Sequence, residues 1–234
     1  MRQVMLDTET TGLDPKLGHR VIEVAAVEMV NRRLTGNHFH RYLNPGREID
    51  PGAMAVHGIS NEFLLDKPKF HDIADDFLDF VKGAELVIHN APFDVGFLNA
   101  ELGLIKMEAI RHYCPEVIDT LKMAKELHPG QKNNLDALCR RYLVDNSGRT
   151  LHGALLDAEL LADVYLAMTR GQESLVMELG EARQQKGSFD LTAQRAALVV
   201  LAATEDELEA HRGQLEQIDK ASKGACVWKR LQAP

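Results

Sequence analysis

The stretch Gln3-Val4-Met5-Leu6-Asp7-Thr8-Glu9-Thr10-Thr11-Gly12 decides how this chain is read. Its first residues tend to alternate toward apolar, and it runs into a Thr-Thr-Gly turn, which is the pattern of a strand ending at a turn. Residues i and i+2 of a strand share a face, so Asp7 and Glu9 emerge on the same side. The pair alone carries little weight. The chain holds 35 acidic residues in 234, and about five such pairs are expected by chance at that density. The plain reading is an exposed polar face. Position counts against that reading, because the pair closes an apolar strand at its carboxyl edge, where open α/β sheets receive their ligands.

Further along, residues 21–30 and 37–43 read as the next strands, with 32–37 as a hairpin connection. Ile73, Phe77, Leu78, Phe80 and Val81 recur at helical spacing. A short strand at 86–89 follows, then a helix over 93–102 ended by Gly103, a brief strand at 117–118, and helices over 121–127, 135–142 and 154–168. Strands first, then strands alternating with helices, give an α/β fold with helices on the faces of a mixed sheet. Composition shifts after Arg170. Residues 171–190 have a linker's character, and 196–203 read as a buried strand or helix. Thr204-Glu205-Asp206-Glu207 has the form of a capping box opening a helix to about Ile218, and 225–231 read as a final strand. The expected organisation is a domain over 1–170, a linker over 171–190 and a C-terminal segment over 191–234.

Composition limits the function classes. The 45% hydrophobic and 26% charged content is that of an ordinary globular chain. No apolar run approaches the roughly 18–20 residues that cross a bilayer. Three cysteines, Cys114, Cys139 and Cys226, have no metal-type spacing and read as reduced thiols in a cytoplasmic protein. A net charge of −8 argues against gripping long duplex DNA through phosphates. It is compatible with handling a strand end while a partner holds the duplex.

Three more residues extend the acidic pair. Asp94 opens a helix within His89-Asn90-Ala91-Pro92-Phe93-Asp94, where the plain reading is an acid favoured by the helix dipole. Asp157 lies in the otherwise apolar stretch 154–158. His152, five residues earlier, reads by itself as a surface or capping histidine. Taken together, four carboxylates from three segments are costly to gather: two like charges ~4 Å apart repel by about 4 kcal/mol at an effective dielectric near 20. Divalent cations reverse that sign, and hard oxygen donors select Mg²⁺ or Mn²⁺. Two such ions can clamp a phosphodiester while a histidine accepts the proton from water.

Asp7-Thr8-Glu9-Thr10-Thr11-Gly12, His89-Asn90-Ala91-Pro92-Phe93-Asp94 and His152-Gly153-Ala154-Leu155-Leu156-Asp157 resemble, in order, spacing and flanking residues, the three motifs of the DEDD exonuclease superfamily. The H-x-x-x-x-D form of the third marks the DEDDh branch. The resemblance covers about residues 1–170 and implies an RNase H-like mixed five-stranded sheet and 3′→5′ exonuclease activity. It also implies two divalent ions, Mg²⁺ or Mn²⁺, held by Asp7, Glu9, Asp94 and Asp157, with His152 as general base. Val56-His57-Gly58-Ile59 fits the same family, which places His57, with Asp7, Glu9 and Asp157, at the terminal nucleotide. A further acidic contact that family members carry just upstream falls near Gly52 and is not assigned.

Within that branch the chain most resembles the proofreading subunits of bacterial DNA polymerase III. That resemblance implies a single-stranded DNA 3′ end as substrate and the polymerase alpha subunit as a partner of the C-terminal segment, with Trp228 as an anchor; a small accessory subunit is a further possible partner. Gln172-Glu173-Ser174-Leu175-Val176-Met177 resembles a sliding-clamp motif, with Gln172, Leu175 and Met177 as contacts, although Met177 stands where an aromatic is usual. Two alternatives stay open: a ribonuclease trimming RNA 3′ ends, and a catalytically silent adaptor between polymerase and clamp.

Overall fold

A computed structural model describes residues 1–147, 151–170, 203–224 and 226–230. The chain divides into two compact units, Met1–Ala182 and Arg183–Pro234.

The first unit is built on five strands: β1 (Arg2–Thr10), β2 (Val21–Val30), β3 (Arg33–Tyr42), β4 (Glu85–Ile88) and β5 (Val117–Asp119). Their order is β3-β2-β1-β4-β5, so β1 is central. It pairs antiparallel with β2 and parallel with β4, which makes the sheet mixed as expected. The helices are α1 (Pro51–His57), α2 (Asn61–Leu64), α3 (Phe70–Val81), α4 (Ala91–Leu104), α5 (Ile110–Tyr113), α6 (Thr120–Leu127), α7 (Leu135–Tyr142) and α8 (Ala154–Met168).

Each face of the sheet has its own core. Val4, Leu6, Val24, Leu86 and Ile88 pack with α3, α4 and α5 through Phe77, Leu98 and Ile110. Met5, Val27 and Val87 pack with α6, α7 and α8 through Ala124, Leu138, Leu161 and Val164. Phe77 and Phe97 are among the largest fully buried side chains; complete burial of one such ring contributes about 1.5–3 kcal/mol.

The fold corrects several readings of the sequence. The hairpin connection is not 32–37 but the pair Asn31 and Arg32, both left-handed at φ 48° and 62°, the conformation that a two-residue turn matching strand twist requires. β3 therefore starts at Arg33, and Gly36, inside the range read as the connection, takes φ 85° within an irregularity where the β2–β3 register shifts. The fourth helix runs through Gly103 to Leu104. Pro51–His57 forms a helix that weak periodicity concealed, closed by Gly58 at φ 70°.

In the second unit, α9 (Glu205–Ala221) begins with the expected capping box: Thr204 N–H donates to Glu207 Oε2 at 2.8 Å, and Glu207 N–H to Thr204 Oγ1 at 3.4 Å. The strand read over 225–231 is instead a helical turn, α10 (Val227–Arg230). Trp228 is 62% exposed there. The linker 171–190, with Gln172, Leu175 and Met177, and the apolar stretch 196–202 lie outside the described residues. Among the described residues, no helix is long and apolar enough to cross a membrane.

Candidate active site

Residues of β1 alternate between the two cores, with Val4 and Leu6 on the α3–α4 side and Met5 on the α8 side. The same alternation carried to the strand's end turns Thr8 toward α4 and Asp7 and Glu9 toward α8. Thr8 Oγ1 accordingly donates to Asp94 Oδ1 at 2.7 Å, in the first turn of α4. From the opposite side α8 supplies Asp157, also in its first turn and only 3% exposed. His152 Nδ1 stands 3.2 Å from Asp157 Oδ2. Donor atoms of Glu9, His152 and Asp157 lie within 4.8 Å of one another.

The electrostatics reflect this crowding. Burial first, and then the charges of Asp94, Glu9, Asp157 and Glu23, hold the Asp7 carboxyl well above the usual carboxylate range. Burial pushes Asp94 up to about 7, against the lowering effect of the Thr8 hydroxyl and backbone hydrogen bonds. A group of carboxylates whose ionised forms oppose one another, with an imidazole at its edge, is the donor set that a hard divalent cation relieves.

Two cavities meet these residues. One of about 220 Å³ is lined by Asp7, His89, Asn134, Leu135, Asp136, His152 and Asp157. The other, about 570 Å³, lies between Glu9, Thr10, Gly12, Leu13, Val56, His57 and Phe93 among others. Gly12 is required in its wall, because a Cβ there would meet the His19 ring at 2.3 Å. That ring is itself fixed by Thr11 Oγ1 at 3.0 Å from Nδ1.

His57 is the last residue of α1 and is buried. Its Nδ1 accepts the Ile59 N–H at 3.0 Å, so a neutral ring carries its hydrogen on Nε2 and is a donor. Burial lowers its pKa, which favours the neutral form. Nε2 is buried without a hydrogen bond of good geometry, although the Thr10 backbone acts on the ring to raise its pKa against the effect of burial.

The structure thus brings Asp7, Glu9, Asp94, His152 and Asp157 together, with His57 on the adjoining cavity. Trp228 belongs to the other unit. Sequence reasoning passed over His89 as a site residue, along with Asn134 and Asp136. His89 opens the second of the three motifs, but its place on the small cavity depends on Thr120, whose Oγ1 is 2.9 Å from His89 Nδ1. Nothing in the sequence around Asn134 and Asp136 marks them.

Residues 4–165 match the family model described as Exonuclease, RNase_T. The chain is 52% identical over 238 residues to the DNA polymerase III subunit epsilon of Salmonella typhimurium, covering 97% of both. It is 51% identical to that of Escherichia coli K12 with the same coverage. Among solved structures, an exonuclease X bound to 5′-overhanging duplex DNA superposes with a TM-score of 0.53 at 29% identity, over 71% of this chain and 90% of that one. The nuclease domain of the DEDDh member 3′hExo gives a TM-score of 0.62 at 18% identity, over 71% and 90%, and supports the fold alone. By these matches the chain belongs to the exonuclease family and, within it, to the epsilon subunits of DNA polymerase III.

Proposed function

We propose that the chain removes mispaired 3′-terminal nucleotides from DNA, in the cytoplasm of a bacterium, as the proofreading exonuclease of DNA polymerase III. The observation that carries this is that Glu9, Asp94 and Asp157, from β1, α4 and α8, lie close enough for their charges to act on Asp7, with His152 against Asp157. Exonucleases of this family depend on divalent metal, and these four carboxylates are the residues to hold two ions, Mg²⁺ or Mn²⁺. When bound, such ions polarise the scissile phosphate and offset the charge that builds on its oxygens.

The side chains supply the rest. With Nδ1 donating to Asp157, His152 presents Nε2 as the base that takes the proton of the attacking water. His57, locked as a donor, offers its Nε2 hydrogen to an oxygen of the terminal nucleotide. The 570 Å³ cavity falls within the ~300–1,000 Å³ usual for small-ligand sites, which suits one terminal residue and favours end-directed hydrolysis. Thr8 keeps Asp94 oriented from behind the strand. With Mg²⁺, labelled single-stranded DNA should shorten from its 3′ end faster than RNA of the same sequence, and a mispaired primer end faster than a paired one. Faster loss of RNA would make the chain an RNA trimmer, and no loss of either would make it an adaptor.

The partner assignments follow the organisation of the chain. Residues 191–234 are proposed to dock on the alpha subunit through Trp228, whose exposed indole is available as an anchor. Gln172, Leu175 and Met177 are proposed to engage the clamp. A 1–190 fragment should keep its hydrolysis of single-stranded DNA and lose co-elution with alpha, and Trp228→Ala should weaken that association by about 2 kcal/mol or more. Changing Gln172 and Leu175 to Ala should release the clamp only. Unaltered co-elution would place these contacts elsewhere.

A further inference from the structure

The proposed base stands on a thinly supported junction. His152 has a side chain 45% exposed, Gly153 follows it, and α8 begins at Ala154 with no side-chain cap from its own N-cap residue. The first N–H groups of a helix have no partner within it and must find one elsewhere. Two bonds, one on each side of Gly153, tie the junction to α1 and β2. The His152 N–H donates to Val56 O at 3.2 Å, near the end of α1. The Ala154 N–H donates to Glu23 Oε2, also at 3.2 Å.

Glu23 lies on β2, 2% exposed, directly opposite Glu9 in the strand register. Its other oxygen, Oε1, is 2.7 Å from His40 Nε2 on β3. Burying a carboxylate is costly unless its oxygens are used, and here both are engaged. One of them faces a helix N-terminus, whose dipole favours negative charge. With both oxygens engaged the carboxylate is committed to the protein, and the junction it holds carries His152 and leads into Asp157.

We propose that Glu23 is a positioning residue: by capping the first N–H of α8 from across the sheet, it fixes where His152 stands relative to Asp157, and so governs turnover without touching the substrate. This rests on His152 as the base. Without it, the His152 N–H bond to Val56 O remains but the first N–H of α8 loses its acceptor.

Two nearly isosteric replacements isolate the bond. Glu23→Gln keeps an oxygen to accept from Ala154 and an amide to meet His40, whereas Glu23→Met keeps the volume and removes the acceptor. In the full-length protein with single-stranded DNA and saturating Mg²⁺, Glu23→Met should lower kcat about 10- to 100-fold with KM changed less than about threefold. Glu23→Gln should stay within about threefold of wild type. Amide exchange in the unaltered protein should find Ala154 N–H protected, and in Glu23→Met should find that protection lost while β1 stays protected. The proposal fails if Glu23→Gln is as impaired as Glu23→Met, or if kcat and KM change together. It fails equally if Ala154 N–H of the wild type exchanges as an open amide, a result that stands even where Glu23→Met does not fold. Loss of protection at Ala154 with kcat unchanged also overturns it, and near-normal kcat in His152→Ala would assign that failure to the reading of His152 instead.

Discussion

Asp7→Asn is expected to abolish hydrolysis and, in chelated protein, to raise the melting temperature. The loss follows from removing a charged oxygen donor at the centre of the cluster. Electrostatic stabilisation by bound cations amounts to several kcal/mol in a phosphoryl transition state, so the rate should fall by about 10³-fold or more. The gain in stability follows from the same burial. In the metal-free fold the Asp7 carboxyl sits well above its usual range and Asp94 near 7, burial being the first cause for both. A carboxyl whose folded pKa exceeds its unfolded value binds its proton more tightly when folded. Its stabilising contribution is therefore complete below the unfolded value, about pH 4, and is lost as the pH rises through the raised folded value, which for Asp94 is about 7. Chelated wild type should melt lower at pH 8 than at pH 5. Mg²⁺ or Mn²⁺ should restore the difference, by binding the folded state alone, and Asp7→Asn should reduce it by Asp7's share, leaving the part that burial of Asp94 causes. Melting curves in EDTA across that range check the sign, and wild-type hydrolysis that survives EDTA would rule out the metal reading.

His152→Ala should cost about 10²–10⁴-fold in kcat, the usual loss with a general base. Binding of single-stranded DNA and of Mn²⁺ should change little. The reason is positional: His152 is half-exposed beside Asp157, and its removal leaves the carboxylates of β1 and α4 in place. Single-turnover rates together with Mn²⁺ titration separate the two effects. A variant with near-normal kcat would make His152 a structural residue, and one that also loses the metal would make it chiefly a ligand.

The centre of the site was legible because it obeys simple periodicities. The i, i+2 spacing of Asp7 and Glu9 puts both on one face of β1, and the helical run after Gly153 puts Asp157 in a first turn. The sheet's mixed character followed from the order of the elements. What was misread depends on contacts between distant residues or on local backbone choice. Gly36 could serve a turn or a bulge, and Asn31 and Arg32 took the turn instead. Glu23 was not singled out in the sequence, because its bond to Ala154 joins positions 131 apart. His89 needed Thr120 to orient it. Val227–Arg230 has β-type composition in part, yet it is a helical turn.

The placement of Asp157 on α8, with His152 just ahead of it, also bears on the order of synthesis. A growing chain acquires Asp7, Glu9 and Asp94 early, and β1 can find its partners once β4 has emerged. The last carboxylate and the base arrive only with residues 152–157, and they meet the others only when α8 packs onto β1 and β2. Every shorter nascent chain lacks the proposed base and the last of the proposed metal ligands. On the proposed roles, hydrolysis begins only when the residues around α8 have been made and packed.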